Sequence, residues 1–382
     1  MRRPWNAAVV LAAAAVAAGL SVAPAQAAPL VAVTAATGEV IEGEYIVRTR
    51  PGAARTVADA RTDRTMYVYD TAVHGFAAKL DARELRALQR DPDVVAIEHN
   101  QVVHANASQS PTPNWGLDRI DQRNLPLNNT FTYFNDGTGV TAYIIDTGIL
   151  PSHPAFGGKA SVGTDLIGGN GIDCNGHGTH MASTIGATVY GVAKNIRLVG
   201  VRVLNCTGSG SFATVIAGVN WVQANSPGPS VALMALGGAA NPSVDTAVNN
   251  LAASGVFVGV SGGSGATDAC TVSPARASGA YAVIRTTNTD QSPASNNWGS
   301  CIDMQAPGTN IPGAWLNNTV QVISGTSSAA AHAVGVAAMF KDAVGDVPSS
   351  VVASWLNGVA TAGVLTGVHP QSPNLLLHTN GI

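Results

Sequence analysis

Val140-Thr141-Ala142-Tyr143-Ile144-Ile145-Asp146-Thr147-Gly148 is a mostly apolar run that ends on a carboxylate and then a turn. The run lacks the apolar/polar alternation of a half-exposed strand. It suits a strand covered on both faces, as in a parallel sheet between helical layers. The texture recurs downstream. Strands are expected at 140–145, 197–203, 231–236, 256–260 and 280–284, and helices at 180–186, 213–224, 244–253 and 328–344. Short apolar strands interleaved with helices predict an α/β fold around a central, mostly parallel sheet. In such sheets chemistry gathers outside the C-terminal ends of the strands. Asp146 stands at that end, but turns and caps also use carboxylates there, so it counts only in company.

The company is His177, in Asn175-Gly176-His177-Gly178-Thr179-His180, and Ser327, in Ser324-Gly325-Thr326-Ser327. Glycines on both sides leave the imidazole uncrowded at a helix start. Ser327 opens a long apolar helix, whose unpaired N–H groups and positive dipole end favour negative charge developing beside it. A serine that attacks an acyl carbon needs a base, and the base needs a carboxylate to fix its tautomer. Asp146, His177 and Ser327 supply these parts in the chain order Asp, His, Ser. His180 and His332 read as structural, and His153, His369 and His378 as surface residues.

Working outward, the first 28 residues read as a secretory signal peptide. Arg2 and Arg3 precede an apolar run from Ala7 to Leu20, and Ala25-Gln26-Ala27 is a small-x-small cleavage site. The run is short for a bilayer span, and no later segment qualifies, so no membrane association is expected after its removal. Residues 38–105 hold much of the charge and read as a small α+β unit, with strands at 45–48, 75–80 and 94–103 and a helix at 82–89. Residues 106–114 are a linker by composition. Charged residues are only 11% of the chain and the net charge is -3 without a basic stripe, which argues against a nucleic-acid partner. Export makes Cys174, Cys206, Cys270 and Cys301 candidates for disulfides. Spacing alone leaves three pairings open, and without a C-x-x-C pair a zinc site has little support.

The stretches Trp115–Arg123, Ile145–Gly148, Gly176–His180, Ala306–Gly308 and Gly325–Ser327 together resemble the subtilisin-like serine proteases (peptidase S8), in their proteinase K-like secreted bacterial branch. Residues 38–105 look like the inhibitory propeptide (inhibitor I9 type) of the same family, which leaves 107–382 as the peptidase domain. The resemblance implies a subtilisin-like three-layer fold and a secreted, monomeric serine endopeptidase that acts on extended polypeptides after cutting off its own propeptide near Ala107. It implies that Asp146 orients, His177 is general base and acid, and Ser327 is the nucleophile. Gly208, Ser209, Gly210, Leu236 and Gly237 would line a cleft that pairs with the substrate backbone. Ser261, Gly262 and Gly263 would wall a wide primary pocket suited to large apolar side chains. Relatives pair Cys174 with Cys206 and Cys270 with Cys301. They also bind calcium at a carboxylate matching Asp303, with backbone oxygens near Ser278 and Ala280.

The departures from the pattern cluster at the chemistry. The family places at position 264 an asparagine that, with the amide of Ser327, donates to the oxyanion; here it is Ser264, whose hydroxyl can donate but is shorter. Ser328 and Ala331 stand where Met and Pro are usual, Ala235 replaces Ser, Ser183 replaces Gly, and Ile284-Arg285 replaces Gly-Ala. These changes point to an atypical or weakened enzyme. One rival reading is a subtilisin-fold peptide-binding protein without full catalysis. Another is an esterase with Ser261 in the elbow Gly259-Val260-Ser261-Gly262-Gly263, followed by Asp303 and His332; it requires a helix directly after Ser261.

Overall fold

The computed structural model describes residues 30–36, 40–102 and 107–382. The signal-peptide reading of 1–28 and the expected maturation boundary at 103–106 lie outside the described residues. The chain divides into two compact units between Val102 and Val103.

The N-terminal unit is a five-stranded sheet in the order Val33–Thr34, Val94–Gln101, Val40–Thr49, Gly75–Lys79, Thr65–Tyr69. Helices Ala54–Arg61 and Ala82–Leu88 accompany it. The second helix starts at a capping box: Asp81 accepts the amides of Arg83 and Glu84, and Glu84 reaches back to the Asp81 amide. Val47, Val57, Phe76, Leu88 and Ile97 form its core. Ala54–Arg61 and Thr65–Tyr69 escape a sequence reading for physical reasons. The helix has no side-chain cap, and the edge strand exposes Met66 and Tyr67 instead of burying alternate positions.

The second unit is built on a nine-stranded sheet. Its elements are β1 (Thr141–Asp146), β2 (Ala160–Asp165), α1 (His177–Gly186), β3 (Arg197–Arg202), α2 (Phe212–Ala224), β4 (Ser230–Met234), α3 (Pro242–Ala253), β5 (Phe257–Ser261), β6 (Ala280–Thr286), β7 (Met304–Pro307), α4 (Thr326–Val344), α5 (Ser349–Val359), β8 (Thr361–Ala362) and β9 (Leu375–Leu376). The strand order is β8-β9-β7-β6-β5-β4-β1-β3-β2. All neighbours are parallel except β8 with β9.

Both faces of the sheet are covered. Ile144, Leu233 and Val283 pack with α1 and α4 on one side, and Tyr143, Ile145, Val201 and Val258 with α2 and α3 on the other. This double burial explains why β1 reads as nearly continuous apolar chain. Helix α4 runs close under the sheet: a Cβ on Gly259 would stand 2.4 Å from Val334 Cγ2. Such an approach needs the small residues Ala329, Ala330 and Ala331, all fully buried. Alanine at 331 leaves the helix unbroken from Thr326 to Val344.

Three expectations are corrected. Residues 107–114 are ordered: Ala107–Gln109 pairs with Phe131–Tyr133, and buried Asn114 caps Trp115–Ile120 by accepting the Gly116 amide at 2.9 Å. His153 is buried, because Nδ1 accepts the Ala155 amide and the ring packs edge-on to Phe156. His378 is buried as well, its Nδ1 accepting the Asn380 amide at 2.7 Å.

Candidate active site

Asp146 is the last residue of β1 and wholly buried. Its Oδ1 lies 2.8 Å from His177 Nδ1 and accepts the Thr147 amide at 2.7 Å. His177 is the first residue of α1, after Gly176 at φ +105. That glycine is obligatory twice over, since its backbone is left-handed and a Cβ would fall 2.3 Å from the Trp315 ring. Burial opposes charge on His177, but the Asp146 carboxylate and its hydrogen bond outweigh it and hold the imidazole above its ordinary pKa.

A buried hub fixes the start of α1, and sequence reading passed over it. Asp173 Oδ1 accepts the Thr147 hydroxyl and the amides of Asn175 and Gly176, while Oδ2 accepts the Thr179 amide and hydroxyl. Thr147 Oγ1 in turn accepts the Gly178 amide at 2.9 Å. A carboxylate just before a helix was the available signal. The disulfide Cys174–Cys206 ties this loop to the chain after β3, and Cys270–Cys301 closes a second loop. Both pairings are those of the resembling family.

Ser327 is the second residue of α4. Its hydroxyl donates to the Ala235 carbonyl at 3.3 Å rather than to His177. Ala235 and His177 line one cavity of about 760 Å³, together with Gly208, Ser209, Gly210, Leu236 and Gly237. The expected cleft residues therefore share a space with the imidazole, and Ser327 bonds to its wall. Catalytic hydrogen bonds are often longer or misdirected before substrate is present.

A second cavity of about 240 Å³ is lined by Leu236, Gly237, Gly238, Ser261, Gly262, Gly263, Ala275 and Asn297, and no charged side chain borders it. The two glycines of its wall answer to packing. A Cβ on Gly262 would meet Ile284 and Ile302, and one on Gly263 would stand 2.2 Å from Asn297 Nδ2. Asn297, also unforeseen, clamps this loop. Its Oδ1 accepts the amides of Gly265 and Thr267, and its Nδ2 donates to the Gly262 carbonyl. Ser264 is exposed between these clamps.

Ser261 does not form an esterase elbow. It ends β5, no helix follows directly, and its hydroxyl bonds to Thr326 Oγ1 at 2.5 Å. His332, fully buried, is committed to the Ser328 carbonyl through Nδ1 and faces the Asn114 amide through Nε2. Burial lowers its pKa to about 4, and that of His180 to about 4. Among the substituted positions, Ser183 is buried and its hydroxyl accepts the Ala314 amide at 2.9 Å.

Asp303, Ser278 and Ala280 border a cavity of about 530 Å³. Burial raises the Asp303 carboxyl to about 6, although Oδ2 accepts the Ala282 amide at 2.7 Å. A partly buried carboxylate suits a hard cation where backbone oxygens can join it. Among the described residues no group of three or more His, Cys, Asp or Glu could hold a metal, so carbonyls and water would complete such a shell.

An Asp–His pair at a strand end, a serine opening a buried helix, and a doubly covered parallel sheet define a serine-type peptidase class. Residues 137–372 match the subtilase family (peptidase S8) and residues 44–106 the peptidase inhibitor I9 family, and the chain belongs to the subtilases. It is 47% identical to alkaline serine exoprotease A of Vibrio alginolyticus over 82% of its length, and it spans about 60% of that relative. It is 48% identical to an extracellular serine proteinase of a Thermus species, covering 84% of this chain and 78% of the relative. Proteinase R of Parengyodontium album is 38% identical across 90% of this chain and 91% of its own. The crystal structure of a cold adapted subtilisin-like serine proteinase matches with a TM-score of 0.69 at 45% identity, over 71% of this chain and 99% of that one.

Proposed function

We propose that this chain is the precursor of a secreted serine endopeptidase in which Ser327 attacks the scissile carbonyl, His177 takes and returns the proton, and Asp146 holds the imidazole. The observation that carries the reading is the 2.8 Å contact between His177 Nδ1 and Asp146 Oδ1 on the cavity whose wall accepts the Ser327 hydroxyl. The N-terminus of α4, with the Ser327 amide, stabilises the oxyanion, and the shorter Ser264 leaves the family's side-chain donor there weakened. An extended substrate strand lies along Gly208–Gly210 and Leu236–Gly237 and sends a large apolar side chain into the cavity walled by Ser261, Gly262 and Gly263. The N-terminal unit serves as the chain's own inhibitor, Ser327 releases it near Ala107, and the mature product is monomeric. Asp303, with carbonyls near Ser278 and Ala280, would hold a calcium ion, whose contribution is to stiffen that loop. Among the described residues no helix is long and apolar enough to cross a membrane; export is assigned to a leader at 1–28.

The test is a fluorophosphonate probe, peptide mapping and gel analysis of expressed precursor. Label on Ser327 and release of a fragment beginning near residue 107 are expected, with Ser327→Ala unlabelled and unprocessed. Identical processing of both versions would assign the cut to an outside protease and favour the peptide-binding alternative.

A further inference from the structure

Resting on that reading, we propose that Arg285 supplies the oxyanion donor that the shortened residue at 264 no longer provides. Alternation along β6 puts Tyr281 and Val283 on the face covered by α4, and Arg285 shares their parity. The approach is close. A Cβ at Gly308 would lie 2.6 Å from Arg285 Cβ, 2.7 Å from the Gly325 carbonyl and 3.1 Å from Ala329 Cβ. Arg285 therefore leaves its strand beside the turn that carries Ser327.

Its head group is tied to the segment that brackets Ser264. Nη2 donates to Ser295 Oγ at 2.9 Å, and the Ser295 carbonyl accepts the Ala266 amide at 3.2 Å. Asn296 Nδ2 donates to the Arg285 carbonyl at 2.8 Å, and Asn297 clamps the amide of Gly265. The side chain is thus held between the Ser327 turn and the Ser264 loop.

What it lacks is an anion. The buried arginines Arg119 and Arg202, and the exposed Arg276, each pair with a carboxylate. Arg285 has no carboxylate partner among the described residues, and its Nε is buried without a hydrogen bond. A cation beside the positive end of a helix, with a desolvated donor left open, is unfavourable until negative charge arrives. Acyl transfer at Ser327 produces such charge on the carbonyl oxygen. Nearby, the Ser328 hydroxyl is buried and also unpartnered, and its side chain is shorter than the methionine usual in the family, so it takes up less room.

The experiment uses enzyme purified after expression of the full precursor and a peptide anilide without any carboxylate on its leaving side. Arg285→Met is expected to lower kcat about 100-fold with KM within twofold, the size of losing one oxyanion donor in a subtilisin-type enzyme. It should also weaken a peptide boronic acid inhibitor in parallel. Ser264→Asn in that background should restore at least about tenfold of kcat. If Arg285→Met fails to fold, Arg285→Leu, which also lacks a donor, is read the same way. An unchanged kcat overturns the proposal, as does a loss confined to KM for substrates with an acidic leaving-side residue. If the native enzyme neither hydrolyses nor takes the fluorophosphonate probe, the peptidase reading itself falls; if it does both and Arg285→Met matches it, only the role of Arg285 falls.

Discussion

Asp146 meets His177 through one oxygen only: Oδ1 lies 2.8 Å from Nδ1, while Oδ2 is buried without a partner. Leaving a buried carboxylate oxygen unpaired is costly, and the negative charge is kept against that cost in contact with the imidazole. In Asp146→Asn the side chain keeps its shape but no longer stabilises the imidazolium or the tautomer with a free Nε2. The expected outcome is a folded protein whose kcat falls about 10,000-fold, the scale of neutralising the orienting carboxylate in serine proteases. Steady-state kinetics beside a thermal melt decide it; a loss below about tenfold would mean that Asp146 only packs.

The same contact sets the acid limb of activity. In the proposed mechanism His177 must be neutral to accept the Ser327 proton, and Asp146 raises its pKa above the ordinary value. Activity should therefore fail on acidification earlier than an unperturbed imidazole near 6.5 would dictate. In a kcat/KM profile the acid-side midpoint is expected above 6.5 in native enzyme. A midpoint below that value would contradict the coupling.

Legibility followed local chemistry. β1 and Asp146 could be read because double burial writes an apolar run and a strand end writes a turn. His177 and Ser327 could be read because their flanking glycines and helix start are local signals. Asp173 and Asn297 could not, because both act through backbone amides brought to them by the fold, and an isolated Asp or Asn looks the same in any loop. His153 and His378 were misplaced for a related reason: one neighbouring amide satisfies a ring nitrogen and removes the need for water. Arg285 was visible as a departure from the family, while its missing anion became visible only with its neighbours in place.

If the 240 Å³ cavity is the primary pocket, as proposed, its uncharged lining sets the substrate preference. A lysine or arginine there would bury its cation without a partner, which costs several kcal/mol, while phenylalanine or leucine gains by burial. Matched peptide anilides should show kcat/KM at least about 100-fold higher for phenylalanine than for lysine at the residue preceding the cut. Equal rates would place the side chain elsewhere.

Acid should also unfold the protein through its buried histidines. His332 and His180 are held neutral, with pKa values lowered to about 4 by burial, against about 6.5 in the unfolded chain. Between those values the unfolded state binds more protons. Stability is then fully present above about pH 6.5 and lost as pH falls towards 4, by up to about 3 kcal/mol for each group. His332→Gln removes one titration and also the bond to the Ser328 carbonyl. In a Ser327→Ala background, which suppresses autolysis, this variant should be less stable than its parent at pH 7. It should nevertheless lose less stability between pH 7 and 5, as read from urea unfolding midpoints. A parallel decline in both proteins would show that His332 does not carry the acid sensitivity.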